Sequence, residues 1–445
     1  MNALSRSAAA IFVLAALLRI PGLFTDFWLD EVWALRTVAL IDSALDVFTA
    51  IHQDINHWLL SLWMYAAGVE HDFWVYRVPS LAAGLAAVAG AGRLARLDRS
   101  NPAAAMLLTA VSAPLVIYAS EARGYSIAAS AAVIALLCLV EWAASRRGAW
   151  LIGYWIAASL GLLAHLSFLF ALAASTGFLG VLLLRNTLTP MRAAAVQSVP
   201  AVVLVLLYVV DLRMFQLSGG QPRTFAELFV QAGSLALGGP PKGAWAWAFG
   251  PACGVLLAVE LTRRYRRWMR SPDRSPVELA TWAFYATAFV FPIAAIAIMQ
   301  PPYFYPRFLL VSGVFVPLLA ASYAGSLPRR WGAVIAAAFV VVNAASLGHF
   351  ATTGRGAYDE ALALMQRSSQ RGVVAIASDY PLNRMMVEFY GFRLTGTVSR
   401  FQYVEREAEF WIASSPATAC EPCVLIGTFP ASMVSGTDWY VYQLR

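Results

Sequence analysis

Two adjacent carboxylates, Asp30 and Glu31, sit in the stretch DFWLDEVWAL at residues 26–35, surrounded by Phe27, Trp28 and Trp33. A long apolar run precedes them. A single acid at this point reads as a helix N-terminal charge. Two side by side among aromatics, at the end of an apolar segment, point to chemistry: a half-buried carboxylate at a water–lipid boundary can act as a general base. A second stretch, YASEARGYS at 118–126, holds Glu121 and Arg123 between Tyr118 and Tyr125. Residues two apart do not face each other on a helix, so a turn at Gly124 is expected. It would present a further acid and an arginine suited to phosphate, where the plainer reading is a surface ion pair. A third stretch, QPPYFYPRFLL at 300–310, has Arg307 as its one charge, with Tyr303 nearby as a binding candidate. Pro301, Pro302 and Pro306 stiffen it and favour a defined position over simple snorkelling. His57 in INHWLL begins a segment of the acid-bearing loop, and His165 in AHLSF lies in a tight turn; a lone histidine is more often structural than catalytic.

The composition says what must position these groups. Of 445 residues, 60% are hydrophobic and 13% charged, against roughly 25% charged for a soluble domain, so the chain is a membrane protein. Its net charge of +7 is almost all arginine, Lys242 being the single lysine. Surplus arginine in cytoplasmic loops accounts for that excess without nucleic acid. A span needs about 20 apolar residues. Segments near 8–24, 78–95, 103–119, 125–142, 149–164, 166–184, 193–210, 244–261, 278–299, 308–326 and 331–350 qualify, giving a polytopic all-α membrane protein of about eleven transmembrane helices.

The loops between them alternate. One set carries Arg96, Arg99, Arg146, Arg147, Arg185, Arg192, the cluster Arg263–Arg274, Arg329 and Arg330; the other carries Asp30, Glu31, Glu121, Asp211 and Glu227. The first set is expected in the cytoplasm and the second outside. HWLLSLWMYAAGV, 57–69, is short for a span and would invert the alternation. It is expected as a helix at the outer interface, with Trp58, Trp63 and Tyr65 at headgroup level, inside one external loop over 25–77. The loop 211–243 is expected to hold another short interfacial helix. Residues 1–350 thus form the membrane body. Residues 351–445 read as a small external α/β domain, where CEPC, Cys420 to Cys423, suits a local disulfide better than a zinc site.

No Walker sequence, dinucleotide fingerprint or HExxH is present. Acids and arginines facing outward need an anionic substrate in the outer leaflet, and a lipid-linked phosphate fits. Five stretches in order resemble one family. DFWLDEVWAL resembles the acidic motif in the first external loop of GT-C glycosyltransferases. INHWLLSLW is similar to the HPPL-type helix of that loop, VYRVPSLAAG to an RLPS start of the second span, YASEARGYS to a QEARxY motif and YFYPRFLL to an RYLL motif. The nearest group is the family 39-like one, with protein O-mannosyltransferases and the lipid A aminoarabinose transferase. The resemblance covers roughly residues 1–330.

It implies a GT-C fold and an inverting transfer of a sugar from a polyprenyl-phosphate donor to a hydroxyl of an envelope lipid, glycan or protein. The transfer would occur at the outer face of a bacterial cytoplasmic membrane, with no cofactor required and no divalent metal indicated. It carries the base role to Asp30, the motif's second acid to Glu31 and a further acid to Glu121. Donor and phosphate contacts fall to Arg123, Tyr125 and Arg307, and His57 stands where the HPPL-type helix begins, although the proline that usually follows is missing. Trp28 and Trp33 could stack on a sugar face. A transporter or lipid flippase is the competing class. It calls for ionisable groups at mid-span and internal repeats, and the sequence has few of the former and none of the latter.

Overall fold

The computed structural model describes residues 3–216, 223–301, 303–397, 399–405, 407–418, 420, 422–432 and 434–444. Pro302 and part of the 211–243 loop therefore lie outside the described residues. Long runs of Ala, Leu, Val and Gly form helices because, in hydrocarbon, each backbone polar group must be bonded within its own segment. Their starts are marked by side-chain caps: Asn101 accepts from the Ala103 and Ala104 N–H groups, Thr189 from Arg192, and Thr224 pairs reciprocally with Glu227.

Among the described residues, eight helices are long and apolar enough to cross a membrane. There are nine if Pro306–Gly313 and Val316–Ser326, bent by 47°, form one span. The sequence suggested about eleven, and two segments make the difference. Residues 103–119 break at Ser112 into Pro102–Val111 and Ala113–Tyr118. The cause is Pro114, which lacks an N–H and cannot bond the carbonyl of Ala110; Arg19, buried in the first helix, donates to that carbonyl instead at 3.0 Å. The second, Gly148–Ala164, has 17 residues, about 26 Å of helix against a hydrocarbon core of about 30 Å.

The arginine-bearing helix ends gather at one end of the body: Arg264 Nη1 donates to Asp98 at 2.5 Å, Arg146 to the Thr187 carbonyl at 2.9 Å, and Arg185 lies over Trp268. The acid-bearing segments meet at the other. There Leu29–Val38 and Trp58–Ala67 are helices, as the first loop was expected to supply. Trp58, however, is buried, with its indole N–H 2.5 Å from Asp211, and so packs against protein and not on the surface. Phe225–Ala236 is the short helix of the 211–243 loop.

The final helix of the body, Arg329–Thr353, leads into a five-stranded sheet: β1 Val374–Ser378, β2 Phe401–Tyr403, β3 Phe410–Ala413, β4 Cys423–Phe429 and β5 Trp439–Leu444. The order is β2-β1-β3-β5-β4. β1 runs parallel to β2 and β3, whereas β5 is antiparallel to β3 and β4. Helices Tyr358–Ser368 and Asn383–Thr395 cover it, and Cys420 and Cys423 are joined by a disulfide.

This domain shares a core with the acid-bearing loop. Phe27, Val32 and Leu35 pack in one buried cluster with Leu362, Ile376 and Trp439. Polar ties fix the orientation. Arg355 is fully buried and donates to the carbonyls of Gly22 and Ile117 and to the hydroxyls of Thr25 and Ser120. Tyr390 Oη donates to the Phe27 carbonyl at 2.7 Å.

Candidate active site

Asp30 and Glu31 open the helix Leu29–Val38, where its dipole favours negative charge. One residue apart on a helix, their side chains point about 100° apart, and they meet different surroundings. Asp30 is 14% exposed; its Oδ2 accepts from Arg307 Nη2 at 2.9 Å and stands 3.7 Å from Arg123 Nη2. Glu31 is fully buried against Arg77, with Oε1 2.9 Å from Nε and Oε2 2.7 Å from Nη2, and it also accepts the Ala122 N–H at 2.6 Å. Burial pushes the Glu31 carboxyl upward, but the Arg77 guanidinium outweighs it and holds the group below its usual range.

The turn predicted at Gly124 is present. A Cβ there would fall 1.8 Å from the Ala164 carbonyl oxygen, so the approach of chain to chain admits only glycine. The Gly124 N–H donates to His57 Nδ1 at 2.6 Å. Burial pushes His57 well below its ordinary value, with Arg123 adding to the effect, so the ring is neutral and carries its proton on Nε2. Arg123 leaves the turn with Nη1 on the Ile55 carbonyl at 3.1 Å. Glu121 turns the other way, accepts the Trp28 indole N–H and is fully buried, and burial pushes its carboxyl up to about 7 against the pull of Arg355.

Arg307 stands in a short 3₁₀ turn, Pro306–Leu309, whose proline start presets the first φ. Its guanidinium lies 5.1 Å from the Trp28 ring and 4.4 Å from that of Tyr305.

These groups open on a cavity of about 840 Å³. Of the residues singled out in the sequence, Asp30, Arg123, Tyr125, Arg307, Trp28 and Trp33 line it. Glu31, Glu121, His57 and Tyr303 do not. The first three are sealed behind the wall by the hydrogen bonds given above, and Tyr305, next to the turn, packs on Arg307 in place of Tyr303. Sequence reading missed Arg223, Lys242 and Glu227 from the 211–243 loop, and Tyr380, Ser414 and Asp438 from the C-terminal domain. Arg223 carries a signal, since it directly precedes the capping pair Thr224 and Glu227. It lies 4.7 Å from the Tyr305 ring, and its Nη1 is buried without a hydrogen-bond partner among the described residues. The single lysine was a signal too.

A groove of similar size, about 870 Å³, runs beside Arg263, Arg266, Arg267 and Arg270 at the opposite end, with no acid in its lining. Of the two cavities, the first is the one whose described lining holds both acids and cations. Among the described residues no group of three or more His, Cys, Asp or Glu side chains is placed to hold a metal ion.

No protein-family model matches the sequence, and no curated protein matches it either. The bundle of spans, the acid-bearing first loop and the sheet domain above it define a membrane protein of the GT-C fold. The chain is similar to the crystal structure of ArnT from Cupriavidus metallidurans in the apo state, at TM-score 0.57 and 14% identity over 98% of each chain. It is similar also to the same protein bound to undecaprenyl phosphate, at TM-score 0.57 and 13% identity over 98% of each chain.

Proposed function

We propose that this chain is an inverting glycosyltransferase that moves a sugar from a polyprenyl phosphate to an acceptor hydroxyl, at the external face of the cytoplasmic membrane. The observation that carries this reading is Asp30 held between Arg307 and Arg123 on the wall of a large polar cavity. The undecaprenyl phosphate bound to ArnT supports a polyprenyl-linked ligand. The gathering of arginines at the far end supports the orientation.

In this reading the acceptor oxygen attacks the anomeric carbon from the face opposite the phosphate. The new C–O bond forms as the bond to the phosphate oxygen breaks. The acceptor proton passes to the Asp30 carboxylate, and the electron pair leaves with the phosphate. A diester with one charge becomes a monoester with two, so the leaving group needs cations more than a proton, and Arg307 and Arg123 supply them. Asp30 and the donor phosphate compete for Arg307, so arrival of the donor frees the base. Trp28 and Trp33 offer faces to a sugar ring. Glu31 and Glu121 act as positioning groups, the first through Arg77 and the second through the Trp28 indole.

The test is transfer by the purified protein from a synthetic polyprenyl-phosphate sugar, with product stereochemistry read by NMR. Failure to turn over any such donor, or retention at the anomeric carbon, would sink the proposal.

A further inference from the structure

The C-terminal domain builds one wall of the cavity, and that wall differs in charge from the rest. β1 and β3 run parallel, so Tyr380, just after β1, and Ser414, just after β3, share one edge of the sheet. The crevice outside the carboxyl ends of parallel strands is where such sheets receive ligands. The loop joining β4 to β5 adds Ser432, Thr437 and Asp438.

The wall is firmly held. Asp379 accepts from the Ser414 N–H at 2.9 Å and its hydroxyl at 2.7 Å, Asp438 Oδ1 accepts the Ala431 N–H at 2.7 Å, and the Thr437 N–H donates to Tyr358 Oη at 2.9 Å. Gly436, at φ +105°, lets the loop lie against the Arg355 carbonyl, where a Cβ would approach to 2.1 Å. Tyr380 keeps 36% of its surface exposed, and its phenol lies within electrostatic reach of Tyr305, Asp30 and Arg307.

Among the described residues, every cation lining the cavity belongs to the membrane body: Arg123, Arg223, Lys242 and Arg307. The C-terminal wall contributes no cation and one carboxylate, Asp438. An aromatic ring and a carboxylate lining one cavity suit a neutral sugar, with C–H faces for the ring and hydroxyl donors for the carboxylate. A phosphate on the same wall would face Asp438 with no cation from that wall to offset it.

We propose that the C-terminal domain selects the acceptor and that it admits an uncharged sugar bearing the acceptor hydroxyl, contacted by Tyr380 and Asp438, in preference to a phosphorylated one. This rests on the transferase reading given above.

The test uses the full-length protein in detergent with a synthetic polyprenyl-phosphate sugar and two acceptors, a monohexosyl diacylglycerol and its phosphorylated counterpart. The neutral acceptor is expected to be preferred by at least about tenfold in kcat/KM, the scale of one hydrogen bond to a charged group. Asp438→Asn keeps an acceptor for the Ala431 N–H and should shrink that ratio; Asp438→Lys should invert it; Tyr380→Ala should raise the KM for the neutral acceptor. Equal use of both acceptors, preference for the phosphorylated one, use of neither, or a ratio unmoved by both Asp438 variants overturns the proposal. Release of sugar to water from the donor by the unaltered protein reads the transferase assignment separately, so the two can fail independently.

Discussion

Asp30 and Glu31 are neighbours in the chain and opposites in environment: Asp30 faces the cavity with Arg307 2.9 Å away, while Glu31 is sealed in a two-pronged pair with Arg77. The pair with Arg77 is the anchor of the loop. Arg77 also donates to the carbonyls of Gly22, Leu23, Thr25 and Asp26, so one guanidinium ties the chain leaving the first span to the start of the second. With the loop fixed, Asp30 is carried on a helix whose direction is set, as the proposed base role requires.

The two acids should therefore fail differently. Asp30→Asn keeps the size of the side chain and removes the proton acceptor. Transfer is expected to fall by about 10²–10⁴, the usual contribution of a general base, with the melting temperature little changed. Steady-state transfer and thermal unfolding in detergent, run on the same preparation, check this; wild-type rates from the variant would remove Asp30 as base.

Arg77→Met leaves the Glu31 carboxylate buried without its partner. Breaking one side of a buried pair costs about 3–5 kcal/mol, so the variant should melt far below the wild type. Adding Glu31→Gln removes the stranded charge and should recover part of the loss. A double-mutant cycle on melting temperature measures the coupling, and a strictly additive result would contradict the pairing.

On the proposed mechanism Arg307→Gln should lower kcat more than it raises the KM for donor, because there the phosphate gains its second charge only as the bond breaks. Loss of one such contact typically costs about 10²–10³ in rate. Arg307→Lys keeps the charge but loses the fork that now spans Asp30 and the aromatic faces of Trp28 and Tyr305, so it should recover only part of the rate. A change confined to KM would place Arg307 in ground-state binding instead.

Much of this site was legible before any fold was known, because its residues break the background. A carboxylate pair, an acid beside an arginine and a proline-flanked arginine stand out in a chain with 13% charge. What sequence could not tell was which way each side chain points. Glu31, Glu121 and His57 look as reactive as their neighbours, yet each is consumed by a hydrogen bond to a residue distant in sequence. The roles missed are those whose partners are remote: Arg77 stands in the VYRVPSLAAG stretch and Arg355 in the turn after the last span, and neither shows a role until its carbonyl partners are seen. Tyr380 and Asp438 reach the cavity only because the sheet domain docks on the first loop. Two of the eleven expected spans fall outside the nine long apolar ones for local reasons, since Pro114 divides one run and Gly148–Ala164, matching the segment read from sequence, has 17 residues.

Docking of that domain should depend on pH through Asp26. Its Oδ2 accepts the N–H groups of Tyr358 at 2.9 Å and Asp359 at 3.4 Å, at the start of the helix that carries the domain. Burial, with the charge of Asp359 adding to it, pushes the Asp26 carboxyl up to about 7. A carboxyl raised on folding contributes its full stability while both states are protonated, and loses it once the unfolded chain ionises and the folded group stays protonated. Its contribution is therefore complete below the unfolded value of about 4, declines as pH rises from there and is gone above about 7. The groups facing this junction are Asp359 on the docked helix and Glu31, Arg77 and Arg355 beneath it. Asp26→Asn keeps an acceptor for both N–H groups and cannot ionise, so it should flatten this part of the stability profile and make the variant more stable than the wild type at pH 8. Thermal unfolding between pH 5 and 8, with proteolysis at the 354–357 connection as a local reading of undocking, measures it. A wild-type profile that rises through this window, or one unchanged by the substitution, would remove Asp26 as its source.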